Sequence, residues 1–235
     1  MKNIKLFCIP YAGGSGRVYL KWKPYLSKNI QLYPIELAGR GSRFCDDLYE
    51  NHSEAVQDIC NEIFDKIDDS DYVIFGHSMG CSLVLEVVHT IEKMNLKRPK
   101  CLIVSGDIPP HIEGEYIHQL PLYKFMERIY ALGGLPDEIM GNEKLYNIFS
   151  SIIYSDIKMS EINKIEKISE KIVPISMPLF VLRGEKETDT TMDRMLEWKK
   201  YTMDEFEIFS FEGNHFFIFD NIIEVCTKVE ECCRS

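Results

Sequence analysis

No stretch of this sequence is apolar for long enough to cross a bilayer, which takes about 20 residues. The opening segment Met1-Lys2-Asn3-Ile4-Lys5 lacks the extended apolar core and small-residue cleavage site of a secretion signal, so the chain is expected in the cytoplasm with no membrane partner. Positive charge is also short. With 27 Lys and Arg against 37 Asp and Glu, the net charge of -10 argues against nucleic acid as a partner, because phosphate backbones need a basic footprint. His, Cys and Asp nowhere cluster with ligand spacing, so no metal and no cofactor are expected. Cysteine itself is not scarce, at eight residues, but Cys8, Cys60, Cys81 and Cys101 sit inside strand or helix patterns and the adjacent Cys232-Cys233 matches no metal motif. Reduced thiols are the expected state.

What is present points to one compact α/β domain, a size at which 235 residues bury a sizeable core. The densest signal is Gly76-His77-Ser78-Met79-Gly80, led by the strand-like Tyr72-Val73-Ile74-Phe75 and followed from Cys81 to Met94 by the spacing of a buried helix. A Gly-x-Ser-x-Gly pentapeptide in a strand-to-helix turn is a nucleophile elbow, so tight that only small residues fit two positions either side of the serine. Ser78 is the candidate nucleophile.

A strand over Ile4 to Ile9 is followed by Pro10-Tyr11-Ala12-Gly13-Gly14-Ser15-Gly16, a loop that lets backbone approach a substrate. It carries neither Gly-x-Gly-x-x-Gly nor a Lys-Ser/Thr ending, so it does not read as a phosphate cradle. In a serine hydrolase such a loop gives one oxyanion-hole N–H and the residue after the nucleophile gives the other. The expected donors are the amides of Tyr11 and Met79, with Ala12 an alternative to Tyr11.

Arg17 to Leu26 reads as a helix, Gln31 to Leu37 as an edge strand because Pro34 cannot donate to a ladder, and Glu54 to Ile67 as a helix with Ala55, Ile59, Ile63 and Ile67 on one face. The basic loop Ala38 to Arg43 between them is expected to be a surface connection, contact with an anionic substrate arm being the sharper option. Cys101 to Ser105 is a continuous apolar strand of the kind buried in a parallel sheet. The alternation predicts an α/β-hydrolase-like, mostly parallel, doubly wound sheet whose site lies at the carboxyl ends of the strands.

Residues 109–176 interrupt that alternation. Gly, Pro and Asn break them into short helical pieces, expected to form a lid whose Phe125, Met126, Ile129, Tyr130, Leu132, Ile148, Phe149, Ile152 and Ile153 mostly pack on one another, a few touching substrate. The sheet resumes with Pro178 to Leu182, then a helix with Trp198, a last strand Phe206 to Phe211, and a closing helix Asn221 to Cys233. Gly213-Asn214-His215 stands just past the last strand, after the nucleophile in the chain, which makes His215 the candidate base. His77 lies in the elbow with its ring expected to point away from the reacting face; His52 and His89 fall in helices, while His111 and His118 lie in the lid and could touch substrate. The acid stays open among Glu185, Glu187 and Asp189 after the fifth strand and Asp107 after the fourth.

Taken together, Pro10-Tyr11-Ala12-Gly13-Gly14-Ser15, Gly39-Arg40, Phe75 to Gly80, Val104-Ser105-Gly106, Leu132 to Pro136 and Gly213 to Phe217 resemble the type II thioesterases that accompany nonribosomal peptide and polyketide synthases. The match runs in order over essentially the whole chain. It implies a free-standing serine hydrolase that strips acyl groups from the phosphopantetheine arm of acyl- or peptidyl-carrier proteins, with a monomer expected. Aligning the family's Gly-x-x-Asp through Gly184 and Trp198 puts the acid at Glu187, and a short loop shift puts it at Asp189. Where the family usually has Gly-Gly-His, this chain has Gly213-Asn214-His215. The rivals are a carboxylesterase or lipase acting on oxygen esters, and a non-catalytic hydrolase-fold partner of a synthase. Docking of a carrier is expected at basic patches around Lys21, Lys23 and Lys28 or Lys93 to Lys100, or at the lid.

Overall fold

The computed structural model describes residues 3–234. Six strands, β1 (Ile4–Ile9), β2 (Ile30–Pro34), β3 (Asp71–His77), β4 (Leu102–Ser105), β5 (Leu179–Gly184) and β6 (Phe206–Phe211), pair in the order β2-β1-β3-β4-β5-β6. All five pairings are parallel. Strands buried on both faces read as unbroken apolar runs, which is why β1, β3, β4 and β5 stand out in the sequence. β2 lies at an edge, where Pro34 does no harm to the ladder.

Alternation along each strand feeds two cores. Phe7, Ile9, Ile74, Leu102, Val104 and Val181 point to the face covered by α1 (His52–Phe64) and α2 (Met79–Lys93). Leu6, Cys8, Phe75, Ile103 and Leu182 point to the face covered by Tyr19 and Trp22 of a 3-10 segment (Gly16–Trp22) and by the late helices α7 (Phe217–Asp220) and α8 (Ile222–Arg234). The 3-10 segment stands where an α-helix over Arg17 to Leu26 was expected. α6 (Met192–Leu196) and a second 3-10 turn (Glu197–Tyr201) carry the buried Trp198.

Between β4 and β5 come α3 (Leu122–Ala131), α4 (Asp137–Met140) and α5 (Glu143–Lys167). A third cluster, with Phe125, Met126, Ile129, Ile139 and Ile153, holds these helices together as a lid. The expectation of short pieces throughout is corrected by α5, which runs 25 residues. Asn142 caps its start by accepting from Lys144 and Leu145, and neither Gly nor Pro occurs within it. Among the described residues no helix is long and apolar enough to cross a membrane.

The chain turns from β2 back across β1 to β3, so the crevice between β1 and β3 is the switch point where open α/β sheets bind ligands. Ile9 pairs with Gly76, which sets Tyr11 and Ser78 two residues beyond a matched position on neighbouring strands. Gly184 pairs with Phe211, which places the loops after β5 and β6 side by side.

Candidate active site

Ser78 sits between β3 and α2 with φ 54° and ψ -122°, a left-handed conformation that a residue with a side chain holds only when its surroundings enforce it. Its N–H donates to the Ser105 carbonyl at 2.7 Å, extending the ladder to β4, and its carbonyl accepts from Cys81 N–H at 2.8 Å as the helix begins. A Cβ on Gly76 would lie 2.4 Å from the Gly80 carbonyl oxygen, and one on Gly80 would lie 2.7 Å from that of Ile9. Those contacts are the physical content of the pentapeptide.

The loops after β5 and β6 are laced together. Glu185 N–H donates to Phe211 and Lys186 N–H to Gly213, both at 2.9 Å, and a Cβ on Gly184 would meet the Asn214 carbonyl at 2.5 Å. This brings Glu187 Oε1 to 2.5 Å from His215 Nδ1, the two side chains being 9% and 10% exposed. Glu187 Oε2 accepts from the Thr190 hydroxyl at 2.9 Å, and Arg183 Nε holds the Thr190 carbonyl at 2.8 Å, so the carboxylate is fixed on both oxygens. Nδ1–H donating to Glu187 leaves Nε2 of His215 as the free acceptor.

Of the other carboxylates weighed as the acid, Asp189 is exposed, and its main-chain carbonyl takes Arg194 at 3.0 Å. Glu185 is exposed as well. Asp107 faces the lid instead, paired with Lys164 of α5 at 2.6 Å while its carbonyl accepts from Trp198 Nε1 at 2.8 Å. Burial raises the pKa of its carboxyl in spite of Lys164. The structure therefore brings Glu187 to the imidazole and leaves Asp189 and Asp107 elsewhere.

Tyr11 and Met79 flank Ser78, Met79 as the first residue of α2 and Tyr11 against the ring of Phe216 at 4.8 Å between centroids. Pro10 has no N–H, the Gly13 amide donates to Asp156 of α5 at 2.7 Å, and the Gly14 amide donates to the Tyr11 carbonyl at 2.9 Å. Of the first five loop residues this leaves Tyr11 and Ala12 as possible donors to an oxyanion. The basic loop is not a plain surface connection. Arg40 is 3% exposed and forms a two-pronged pair with Asp156, which is 2% exposed.

An apolar cavity of about 570 Å³ opens beside Ser78, His215 and Tyr11, roofed by the lid. Ile129, Leu132, Ile148, Phe149, Ile152 and Ile153 line it, more of the lid residues than expected, whereas Phe125 and Met126 stay in the lid's own core and the Tyr130 hydroxyl donates to Asp137. A second cavity, of about 170 Å³, reaches Ser78 and His215 past the charged side chains of Asp107, Glu161, Lys164 and Arg194. His111 and His118 are held by carboxylates, Glu197 at 3.0 Å and Glu161 at 2.5 Å. His77 is fully buried under His215, with Nδ1 3.0 Å from the Ser105 hydroxyl. Sequence reasoning missed Thr190, Asp156 and Lys164. The one available signal for the last two was a helix with carboxylates and lysines at positions that its apolar neighbours mark as buried.

Comparison with known proteins finds that a family model described as a thioesterase domain matches residues 4–233. The chain is similar to the gramicidin S biosynthesis protein GrsT of Aneurinibacillus migulanus, 26% identical over 99% of this chain and 89% of that one. It is also similar to the medium-chain S-acyl fatty acid synthase thioesterase of Anas platyrhynchos, 28% identical over 92% and 86% of the two chains. Among solved structures, ClbQ from the colibactin nonribosomal peptide and polyketide pathway superposes with a TM-score of 0.89 at 32% identity, covering 99% of this chain and 98% of that one.

Proposed function

The chain belongs to the thioesterase family, and on that premise we propose that it is a serine thioesterase that hydrolyses acyl groups from the phosphopantetheine arm of carrier proteins serving a nonribosomal peptide or polyketide synthase. The observation that carries the catalytic part is the 2.5 Å contact of His215 Nδ1 with Glu187 beside the strained Ser78.

Ser78 Oγ attacks the thioester carbonyl while Nε2 of His215 takes its proton, and Glu187 stabilises the resulting imidazolium through Nδ1–H. The amides of Tyr11 and Met79 receive the oxyanion, each such donor contributing about 3 kcal/mol to lowering the barrier. The pantetheine sulfur leaves with the proton held on His215. Water then enters, His215 removes its proton, and the acyl-serine is hydrolysed. The acyl chain lies in the mostly apolar cavity, along the lid residues Ile129, Ile148, Phe149 and Ile152. An acidic carrier is repelled at long range by a chain of net charge -10, so its docking rests on local contacts, at the basic patches or the apolar lid.

The test is release of free acid from an acylated carrier protein, followed by intact mass, for wild type and Ser78→Ala. Wild type should strip the carrier and the alanine variant should leave it loaded. A wild type that cleaves oxygen esters but leaves the carrier loaded would show that the substrate reading is wrong.

A further inference from the structure

Arg40 and Asp156 are joined by Nη2 to Oδ1 at 2.8 Å and by Nη1 to Oδ2, while Arg40 Nε donates to the Ala38 carbonyl at 3.2 Å. Two charges taken out of water are a poor device for merely joining segments, since apolar side chains of the same volume often do as well. Asp156 has a further partner. Its Oδ2 accepts the Gly13 N–H at 2.7 Å, in the loop that follows β1. The helix carrying Asp156 also closes on that loop: a Cβ on Gly13, where φ is +76°, would lie 2.3 Å from Cγ1 of Ile153. The loop's far end is held by Glu36, which accepts from the Ser15 hydroxyl at 2.8 Å and the Gly16 N–H at 3.0 Å. Tyr11 lies between these anchors and β1, tied to the Gly13 side by the turn from the Gly14 amide to its carbonyl.

We propose that Asp156, neutralised by Arg40, is a positioning residue for the reaction: through Gly13 it fixes the peptide that presents the Tyr11 amide to the oxyanion, so that the lid helix α5 completes the oxyanion hole. This rests on the reading of Tyr11 as an oxyanion donor. The pairing explains why both charges are there. An unpaired carboxylate beside the hole would repel the negative charge that develops on the substrate oxygen, and an unpaired guanidinium would draw that oxygen away from the amides. Together they leave a hydrogen-bond acceptor with no net charge. The effect belongs to the transition state and to the acylation and deacylation steps alike, and it is absent when substrate merely binds.

Two double variants isolate the hydrogen bond. Arg40→Met with Asp156→Asn and Arg40→Met with Asp156→Leu both remove both charges, and Asn and Leu share the same branched four-heavy-atom side-chain skeleton; they differ in whether Gly13 keeps an acceptor. Each is assayed for hydrolysis of an acyl-pantetheine thioester and for binding of an alkyl trifluoromethyl ketone. Ser78 Oγ adds to the carbonyl of that ketone, its proton passes to His215, and the carbonyl π pair becomes an oxyanion in the hole. Because small misplacements of catalytic groups are costly, the Leu variant should show a kcat and a ketone affinity at least about tenfold below those of the Asn variant, with KM within about threefold and matched Tm. Equal kcat and ketone affinity in the two, or a loss confined to KM or Tm, overturns the proposal. If either double variant fails to fold, Asp156→Glu serves, since it keeps the charge and moves the acceptor by one methylene: kcat and ketone affinity should fall together, and no change in either overturns it. A wild type inactive on thioesters would instead sink the parent reading.

Discussion

Glu187 and Asp189 are two residues apart on one loop, and the turn between them decides their roles. Thr190 is buried, its hydroxyl on Glu187 and its carbonyl on Arg183, so the chain reverses with Glu187 inward and Asp189 in solvent. A sequence alignment can shift by two residues here without penalty, because the loop's conformation is set by these side-chain bonds rather than by any periodic pattern. Glu187→Gln keeps the shape but presents an amide to Nδ1, which favours the wrong tautomer and leaves the imidazolium unsupported. By analogy with other triads, kcat should fall by about 10²- to 10⁴-fold with KM little changed, while Asp189→Asn stays near wild type. Steady-state kinetics on an acyl-pantetheine thioester makes the comparison, and a larger loss for Asp189→Asn would reverse the assignment.

At the scale of elements, the inner strands were legible because a sheet buried on both faces leaves continuous apolar runs, Ile4–Ile9 to the residue; the edge strand Phe206–Phe211, only partly buried, was also readable to the residue from its phenylalanines and Ile208. Ser78 and His215 were legible because glycine marks the tight turns beside both. The lid was harder. α5 buries Ser150, Asp156, Ser160, Glu161 and Asn163 along with Ile152, Ile153 and Met159, while Ile148, Ile162 and Ile165 are exposed, so its amphipathic signal is blurred and its 25-residue length hidden. Asp156 and Glu161 pair with partners far away in sequence, Arg40 and the amides of Ile117 and His118, which no local pattern announces. The same helix gives the cavity its depth through Ile148 and Ile152, one turn apart on the chamber wall. Ile152→Trp should shorten the chamber. If about four methylenes of a long acyl chain lose their apolar contact at ~0.8 kcal/mol each, kcat/KM for that chain falls by on the order of 100-fold while acetyl thioesters are spared. A chain-length series on wild type and variant checks this, and a uniform loss across the series would place the acyl group elsewhere.

At the scale of the whole molecule, the two core faces enclose rings that fold as neutral species. His52 joins α1 to α2: the Ser82 hydroxyl donates to the Met79 carbonyl at 3.0 Å, so His52 Nε2, 3.1 Å from it, is the donor and the ring carries its proton there. Burial pushes its pKa down to about 4, with Glu86 opposing and Lys167 adding to the shift. Burial likewise takes His77 well below the ordinary histidine value. A folded pKa below the unfolded value near 6.5 means the neutral ring favours the fold; the contribution is complete above about pH 6.5 and is lost as pH falls toward 4. His89 works in the opposite sense, its pKa raised by Glu86 against burial, so it contributes at low pH and loses that contribution as pH rises. These histidines contribute to the slope of stability with pH in opposite senses, and one variant separates them. Between pH 8 and pH 5, His52 alone should account for a loss of about 2 kcal/mol. Urea unfolding at the two pH values should show His52→Gln losing about that much less than wild type, whatever its stability at pH 8. Equal losses in the two proteins would mean that His52 is not the neutral, buried donor between α1 and α2.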